Sequence, residues 1–497
     1  MSTVARTVRR PVNHNLVTAV VCVALAAVVA AMASLNVALP SIARSTGATQ
    51  TQLEWVIDAY SLMFASLLLL SGAIGDKFGR RRALVVGLAI FGAGSAVAMT
   101  ATSATELIVL RGLLGLGASL VMPATLSTIT TTFAPERRSQ AVSVWAGVAG
   151  ASAIFGLIAS GAVLEHWTWK AVFAINVVLA AVALAGTLRV VPESADADAP
   201  KLDVGGGLIV TAGLVALVFS IIEAPEKGWL STRTVTGLLA GTAVLVGFVA
   251  RELRQQHPLL DPRVFRLRTL SAGSLSIFVQ FFAFFGFTFG MLQFMQGVRG
   301  DSPLFASVSV LPLGLTLVPV SRATPRLATH FGRRAVCTGG LALMGLGLVV
   351  LAQMSGGSAY WVIVCGLVPL GAGMGLAMTP ATSAITEALP AAQQGVGSAL
   401  NDLSRELGGA FGIAVIGSVL TATYRNHLRL PGASAPVAAK ARASFGVAVH
   451  MGGTVATHAQ AAFVSGMHAA LYFASGAALL GALVVAVLLV GHDNDNA

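Results

Sequence analysis

Apolar stretches, each about as long as a bilayer-crossing helix, alternate with short polar turns along the whole chain. They run approximately over 15–35, 53–72, 83–102, 107–128, 142–164, 170–189, 204–222, 235–250, 271–297, 303–321, 335–353, 360–382, 400–421 and 468–490. A helix needs about 20 mostly apolar residues to cross the hydrocarbon core. The pattern therefore predicts an all-α membrane protein with fourteen transmembrane helices. The seventh and eighth stretches, Gly207–Ile222 and Val235–Val249, are the weakest candidates of the set. Three connections break the rule of short turns. Segments 190–203 and 251–270 are polar and bracket the weak pair, and 422–467 is a long loop rich in Ala, Gly and His. This spacing predicts two six-helix bundles, 1–190 and 271–497, with two inserted helices and their linkers in 191–270.

Composition agrees with that reading. Of 497 residues, 56% are hydrophobic and 10% charged, against about 25% charged in a soluble chain. Twenty acids and 31 bases cannot coat a water-soluble protein of this length, so a soluble enzyme is excluded. The net charge of +11 has a source other than nucleic acid, because Lys and Arg collect in cytoplasmic loops. With the N-terminus inside, roughly 20 basic residues fall in inner loops and 9 in outer ones. Arg6, Arg9, Arg10, Lys77, Arg80, Arg81 and Arg82 lead the inner set. The even number of spans then puts both termini in the cytoplasm and the protein in the plasma membrane. The first span reads as a retained anchor, not a cleaved signal. Cys22, Cys337 and Cys365 are far apart in apolar runs, which suggests neither a disulfide framework nor a metal site.

The segment GAIGDKFGRRR at 72–82 follows the second span, and PRLATHFGRR at 325–334 follows the tenth. Each is a tight basic turn at the same place in its half, and paired halves of six spans are a hallmark of transporters. Here the chain resembles the major facilitator superfamily, in particular its 14-span drug:proton antiporter branch. The first turn is similar to the superfamily's loop signature. LNVALPSIA (35–43), RGLLGLGA (111–118), WTWKAVFAIN (167–176) and ALNDLSRELGGAFGIAVIGSVL (399–420) resemble the branch's first, fourth, sixth and thirteenth spans, in order. The chain also departs from the pattern. Ala31 stands where the branch has a first-span acid, Leu114 follows the fourth-span Arg, and Leu157 and Ser160 replace the usual Pro and Gly of the fifth span.

The first turn has its own physical logic. Asp76 can accept bonds from helix amides and Arg side chains, while Gly75 and Gly79 allow the backbone to turn. Gly72, Gly75, Asp76, Lys77, Gly79, Arg80 and Arg81 are expected to form a clasp that holds one state of a rocking protein; otherwise they only anchor the inner side. Thr329 stands at the corresponding acid position of the second half. Gly147, Gly150, Gly156 and Gly161 are expected to let the fifth span pack closely.

Ionisable groups inside spans are costly and usually functional. Asp58 and Arg111 each lie about five residues inside the outer end of their span and could pair across a cavity. Asp58 reads as a proton or drug-cation site, or as an interfacial acid; Arg111 tunes it or serves as a structural hub. Asp402, Arg405 and Glu406 share one face at the start of span thirteen and read as a proton relay or as a self-neutralising pair. Gln280, Phe284, Phe287 and Met291 form one stripe of span nine, the expected wall for an amphipathic substrate. No P-loop, dinucleotide motif, metal cluster or catalytic triad is present in a plausible context, so no cofactor or enzymatic activity is expected. The expectation is a monomeric secondary transporter that exports amphipathic or cationic small molecules in exchange for protons. Transport of one dedicated metabolite or lipid-like compound, or a transport-inactive receptor, stays open.

Overall fold

The computed structural model describes residues 13–196, 202–256, 258–390 and 394–489. The basic flank Arg6, Arg9 and Arg10 and the linker residue Lys201 lie outside them. The first half comprises α1 (His14–Thr46), α2 (Gln50–Phe78), α3 (Arg80–Ala98), α4 (Ala104–Thr132), α5 (Pro135–His166) and α6 (Val172–Val190). Then come α7 (Val204–Lys227) and α8 (Thr232–Glu252). The second half comprises α9 (Arg268–Gly297), α10 (Pro303–Val308), α11 (Leu311–Phe331), α12 (Arg333–Leu351), α13 (Tyr360–Glu387), α14 (Gln394–His427), α15 (Ala435–Ala443), α16 (Phe445–His450) and α17 (Gly453–Leu488). Among the described residues, fourteen helical segments are long and apolar enough to cross a membrane, with α10 and α11 counted as one crossing. The fold is all-α, two six-helix bundles plus an inserted pair.

Local chemistry sets the helix ends. Thr49 and Gln52 form a capping box at the start of α2, and Ser103 and Glu106 do the same for α4. Gly79 ends α2 and starts α3 at φ 116°, a conformation that L side chains rarely adopt. The expected loop 422–467 is mostly helical: α14 continues to His427 and α17 begins at Gly453, leaving 428–452 as the connection with two short helices. Helices can extend beyond the lipid, where apolarity no longer marks them.

The inserted pair packs on the seam between the halves. Leu214, Val218, Ile221 and Ile222 of α7 cluster with Leu62 of α2 and Ala414 of α14. Ser418 Oγ donates to the Ile221 carbonyl at 2.8 Å. One joint ties α8 back to α7. Arg251 reaches both oxygens of Asp203 at 2.6 and 2.7 Å and Glu252 at 2.8 Å. Asp203 also caps α7 through the Gly206 amide at 2.8 Å. The Arg251 guanidinium holds the Asp203 carboxyl down at about 2.

The two halves meet tightly at one end, where α1 ends, α2 begins and α14 ends. Val37 of α1 is buried in the core of the second half, and Gln296 donates to its carbonyl at 2.9 Å. Gln50 donates to Gln293 at 3.1 Å, Thr421 to Glu54 at 2.6 Å, and the Leu304 amide to Glu165 at 3.1 Å. Toward the opposite end the fifth crossing loses such neighbours. A Cβ at Gly147 or Gly150 would meet nothing within 4 Å, whereas one at Gly156 would meet the Ala30 backbone and one at Gly161 the backbone of α10. So Gly156 and Gly161 approach neighbouring backbone closely, and Gly147 and Gly150 do not. The correction follows from where α5 separates from its neighbours, which spacing alone does not show.

Candidate functional site

The interior between the halves holds a group of acids on two facing helices. On α2, Glu54 and Asp58 are both fully buried. They lie one turn apart, so their Cβ atoms are about 5–6 Å from each other. Thr421 of α14 donates to Glu54 Oε1, while Glu54 Oε2 and both oxygens of Asp58 have no hydrogen-bond partner. A buried polar group left unpaired costs about 1–3 kcal/mol, and more when charged. Such a group points to a ligand, proton or conformational partner that completes it.

Arg111 does not pair with Asp58. It is fully buried, donates to the Val56 carbonyl at 2.9 Å and the Ala31 carbonyl at 3.4 Å, and sits 4.3 Å from the Tyr60 ring centroid. Tyr60 in turn donates to the Val28 carbonyl at 2.9 Å. Arg111 thus ties α4 to α2 and α1, and one of its terminal nitrogens, Nη2, stays unpartnered. The expected pair was inferred from shared depth, and depth does not fix the direction around the helix axis.

On α14 the expected trio does form. Arg405 lies 3.4 Å from Asp402 and 3.1 Å from Glu406. Its guanidinium also reaches across to Met122 Sδ of α4 at 3.6 Å and sits 5.9 Å from the Phe281 ring. Glu406 is 2% exposed and its Oε2 has no partner. Two acids share one base in this cluster. α14 comes close to α9 at Gly408 and Gly412, where an added Cβ would strike the backbones of Phe278 and Phe282.

The expected substrate stripe needs correction. Gln280, Phe287 and Met291 are buried in packing, because α9 is enclosed by α13, α14 and α17 on that side. Gln280 Nε2 bonds to Ser276 on its own helix at 3.1 Å. Phe284 alone of the four is partly exposed. A different aromatic face, Phe278, Phe281, Phe282 and Phe285, is partly exposed. Its rings contact one another, and Phe278 also meets Phe411 of α14. Phe285 packs against the first-half core. These rings share one face of α9 at i, i+3, i+4 and i+7, and Phe281 lies beside Arg405.

The basic turn is tied by hydrogen bonds to other segments of the first half. Arg80 binds Asp76 Oδ1 at 2.7 and 2.9 Å. The segment after α6 completes it: the Arg80 amide donates to the Ser194 carbonyl at 2.9 Å, the Asp196 amide to the Asp76 carbonyl at 2.8 Å, and the Arg81 amide to Glu193 at 3.2 Å. A Cβ on Gly79 would strike the Glu193 carboxylate. Gly72 and Gly75 face Pro123 and Ala83 at ordinary contact distance. Lys77 lies 5.9 Å from the Phe78 ring. In the second half, Glu387 at the end of α13 pairs with Arg333, so an acid from another helix serves where Thr329 replaces Asp. Arg81 donates to the Leu188 carbonyl of α6 and Arg334 to the Ala486 carbonyl of α17. The repeat read from sequence is therefore also a repeat of contacts.

Glu54 escaped the sequence reading. Its neighbours Gln50, Thr51 and Gln52 read as a polar helix start. α14 covers it: a Cβ added at Gly417 would lie 3.1 Å from the Glu54 carboxyl carbon, and Thr421 bonds to the carboxyl.

Comparison with known proteins agrees with this architecture. The methyl viologen resistance protein SmvA of Salmonella typhimurium is 34% identical over 461 residues, covering 92% of this chain and 93% of that one. The multidrug efflux pump LfrA of Mycolicibacterium smegmatis is 32% identical over 460 residues, covering 90% and 91%. The inward-facing, unoccupied structure of a bacterial homologue of the human lysosomal transporter Spinster superposes with a TM-score of 0.68 at 14% identity, covering 96% of each chain. The family model described as Major Facilitator Superfamily matches residues 21–413. With its two six-helix halves, its repeated basic turns and these relatives, the chain belongs to the Major Facilitator Superfamily, a family of membrane transporters.

Proposed function

We propose that the protein exports amphipathic, largely cationic small molecules across the plasma membrane in exchange for protons, acting as a monomer with both termini in the cytoplasm. The observation that carries this reading is Asp58: fully buried between two transporter halves, with neither oxygen partnered. A carboxyl so placed can hold a proton or face a cation, and the two compete for the same oxygens. Glu406, beside Arg405 and Asp402, offers a second such site on the facing half. The partly exposed Phe278, Phe281, Phe282 and Phe285 supply a surface suited to flat apolar bodies. The relatives, a methyl viologen resistance protein and a multidrug efflux pump, support drug export as the direction of transport.

Under the basic-residue orientation the sealed end faces outward and the α2–α3 turn faces the cytoplasm. A substrate then enters from the inner side, displaces a proton from the carboxyl cluster and favours rocking of the halves. Outside, substrate leaves and a proton returns. Each ligand shifts the equilibrium only by its difference in affinity for the two states. The test is dye flux in proteoliposomes with an imposed pH difference. Wild-type flux should follow the gradient and stop with a protonophore, and Asp58→Asn should uncouple it. Gradient-driven flux that survives in both Asp58→Asn and Glu406→Gln overturns the assignment.

A further inference from the structure

We propose that Glu54 is a proton-operated latch on the sealed end: while Glu54 carries a proton its bond to Thr421 joins the halves, and losing that proton opens the end. This rests on the proton exchange proposed above but adds a residue and a step to it.

The geometry singles Glu54 out. Its hydrogen bond to Thr421, at 2.6 Å, joins helices 367 positions apart and crosses from one half to the other. Beside it lies a second crossing bond, Gln50 to Gln293 at 3.1 Å. The Glu54 side chain is wholly removed from solvent. Gly417 of α14 packs against its carboxyl carbon at 3.1 Å from an added Cβ position, which leaves no room for water on that side. One hydroxyl donor serves the whole carboxyl, and Oε2 has nothing.

The surroundings offer no balancing charge. On its own helix the neighbouring titratable group is Asp58, another acid. From α7, Glu223 adds a like charge. α14 presents neutral Thr421 and Gly417, and α9 presents neutral Gln293. Arg111 of α4 is committed to two backbone carbonyls and the Tyr60 ring. An ionised carboxylate in such a site is opposed by desolvation and by the like charge of Glu223, with a single hydrogen bond in its favour. Opening the seam to water relieves both. Protonated, the group loses its charge and keeps the Thr421 bond. A proton arriving from the side that this end faces therefore closes it, and one lost there reopens it.

The experiment places spin labels at Arg44 and Asn426, exposed positions of the two halves at the sealed end, with Cys22, Cys337 and Cys365 replaced by alanine in the full chain. Electron–electron distance distributions are recorded in nanodiscs from pH 5 to pH 9. The wild-type closed fraction should fall as pH rises. Glu54→Gln, which keeps the acceptor but cannot ionise, should stay closed throughout. Thr421→Val should lower the closed fraction several-fold at the acid end of the range, where wild type is closed, and converge on wild type at the alkaline end. A pH response in Glu54→Gln equal to that of wild type, or a closed fraction in Thr421→Val equal to that of wild type at pH 5, overturns the latch. Wild-type flux that ignores a pH gradient while the Glu54-dependent closure persists would instead strike only the proton-coupled export proposed above.

Discussion

Gly161→Ala is the sharpest structural test of the sealed seam. The new Cβ would lie 2.5 Å from Ser307 Oγ, 2.9 Å from Leu304 Cα and 2.9 Å from the Pro303 carbonyl oxygen. Two of these three atoms are backbone of the other half, so relief requires α5 and α10 to move apart. Overpacking of this kind costs about 1–3 kcal/mol. Ala also favours the helix over Gly by about 1 kcal/mol. That gain is present whether the end is open or closed, because α5 is helical in both, so it cancels in their ratio. The overpacking cost acts on the closed state alone. At 1.4 kcal/mol per factor of ten, the closed-to-open ratio should fall by about 5- to 150-fold. The assay is the labelling rate of Val37→Cys, a conservative change at a fully buried α1 position inside the second-half core. In a background without native cysteines, a water-soluble maleimide reaches it only when the end opens. Gly161→Ala should speed labelling by that factor, and Gly147→Ala, whose Cβ meets nothing within 4 Å, should leave it unchanged. Equal rates for Gly161→Ala and wild type would refute the claim that this contact closes the seam.

Other expectations follow from single contacts. Arg111→Lys keeps the charge but loses the fork that holds the Val56 and Ala31 carbonyls, so thermal unfolding in detergent should shift downward; combined with Asp58→Asn the effects should add within about 0.5 kcal/mol. Phe287→Ala, at a fully buried ring, should cost about 3–5 kcal/mol of stability, whereas Phe281→Ala should leave folding intact and change dye affinity. Arg251→Ala removes both Asp203 bonds and should loosen the α7–α8 joint by about 1–3 kcal/mol. Asp203 is held below its usual value of 3.8, down at about 2, so its stabilisation is complete above pH 4 and lost as pH falls toward 2. Hydrogen exchange at the start of α7 across that window checks the sign, and an Arg251→Ala profile identical to wild type contradicts it.

Much of the architecture is legible in the sequence because lipid imposes it. A stretch such as 53–72 is long and apolar enough to be a crossing, and even the weak seventh and eighth stretches form α7 and α8. The Arg405 trio was readable too, since i, i+3 and i+4 spacing fixes a shared face. Contacts between helices were less accessible. Asp58 and Arg111 share a depth, yet Arg111 turns toward backbone carbonyls. The stripe through Gln280 shares one helical face, but Gln280 Nε2 turns back to Ser276 within α9 while its Oε1 stays buried without a partner, and Phe281 and Phe285 take the more open face instead. Glu54 looks like an ordinary polar residue in a first turn until Gly417 from a distant helix covers it. Glu193 and Glu387 complete the two basic turns from segments that no local motif connects to them.

The central claim is that substrate and proton compete at the buried carboxyls, and substrate-induced proton release measures it directly. Purified protein in weakly buffered detergent at neutral pH is mixed with a saturating cationic dye, and the pH jump is read against added acid. Wild type is predicted to release protons in proportion to bound dye, with the release lost in the Asp58→Asn, Glu406→Gln double variant while dye still binds. Release of the same size in that double variant, or dye binding by wild type with no release at all, would contradict the account.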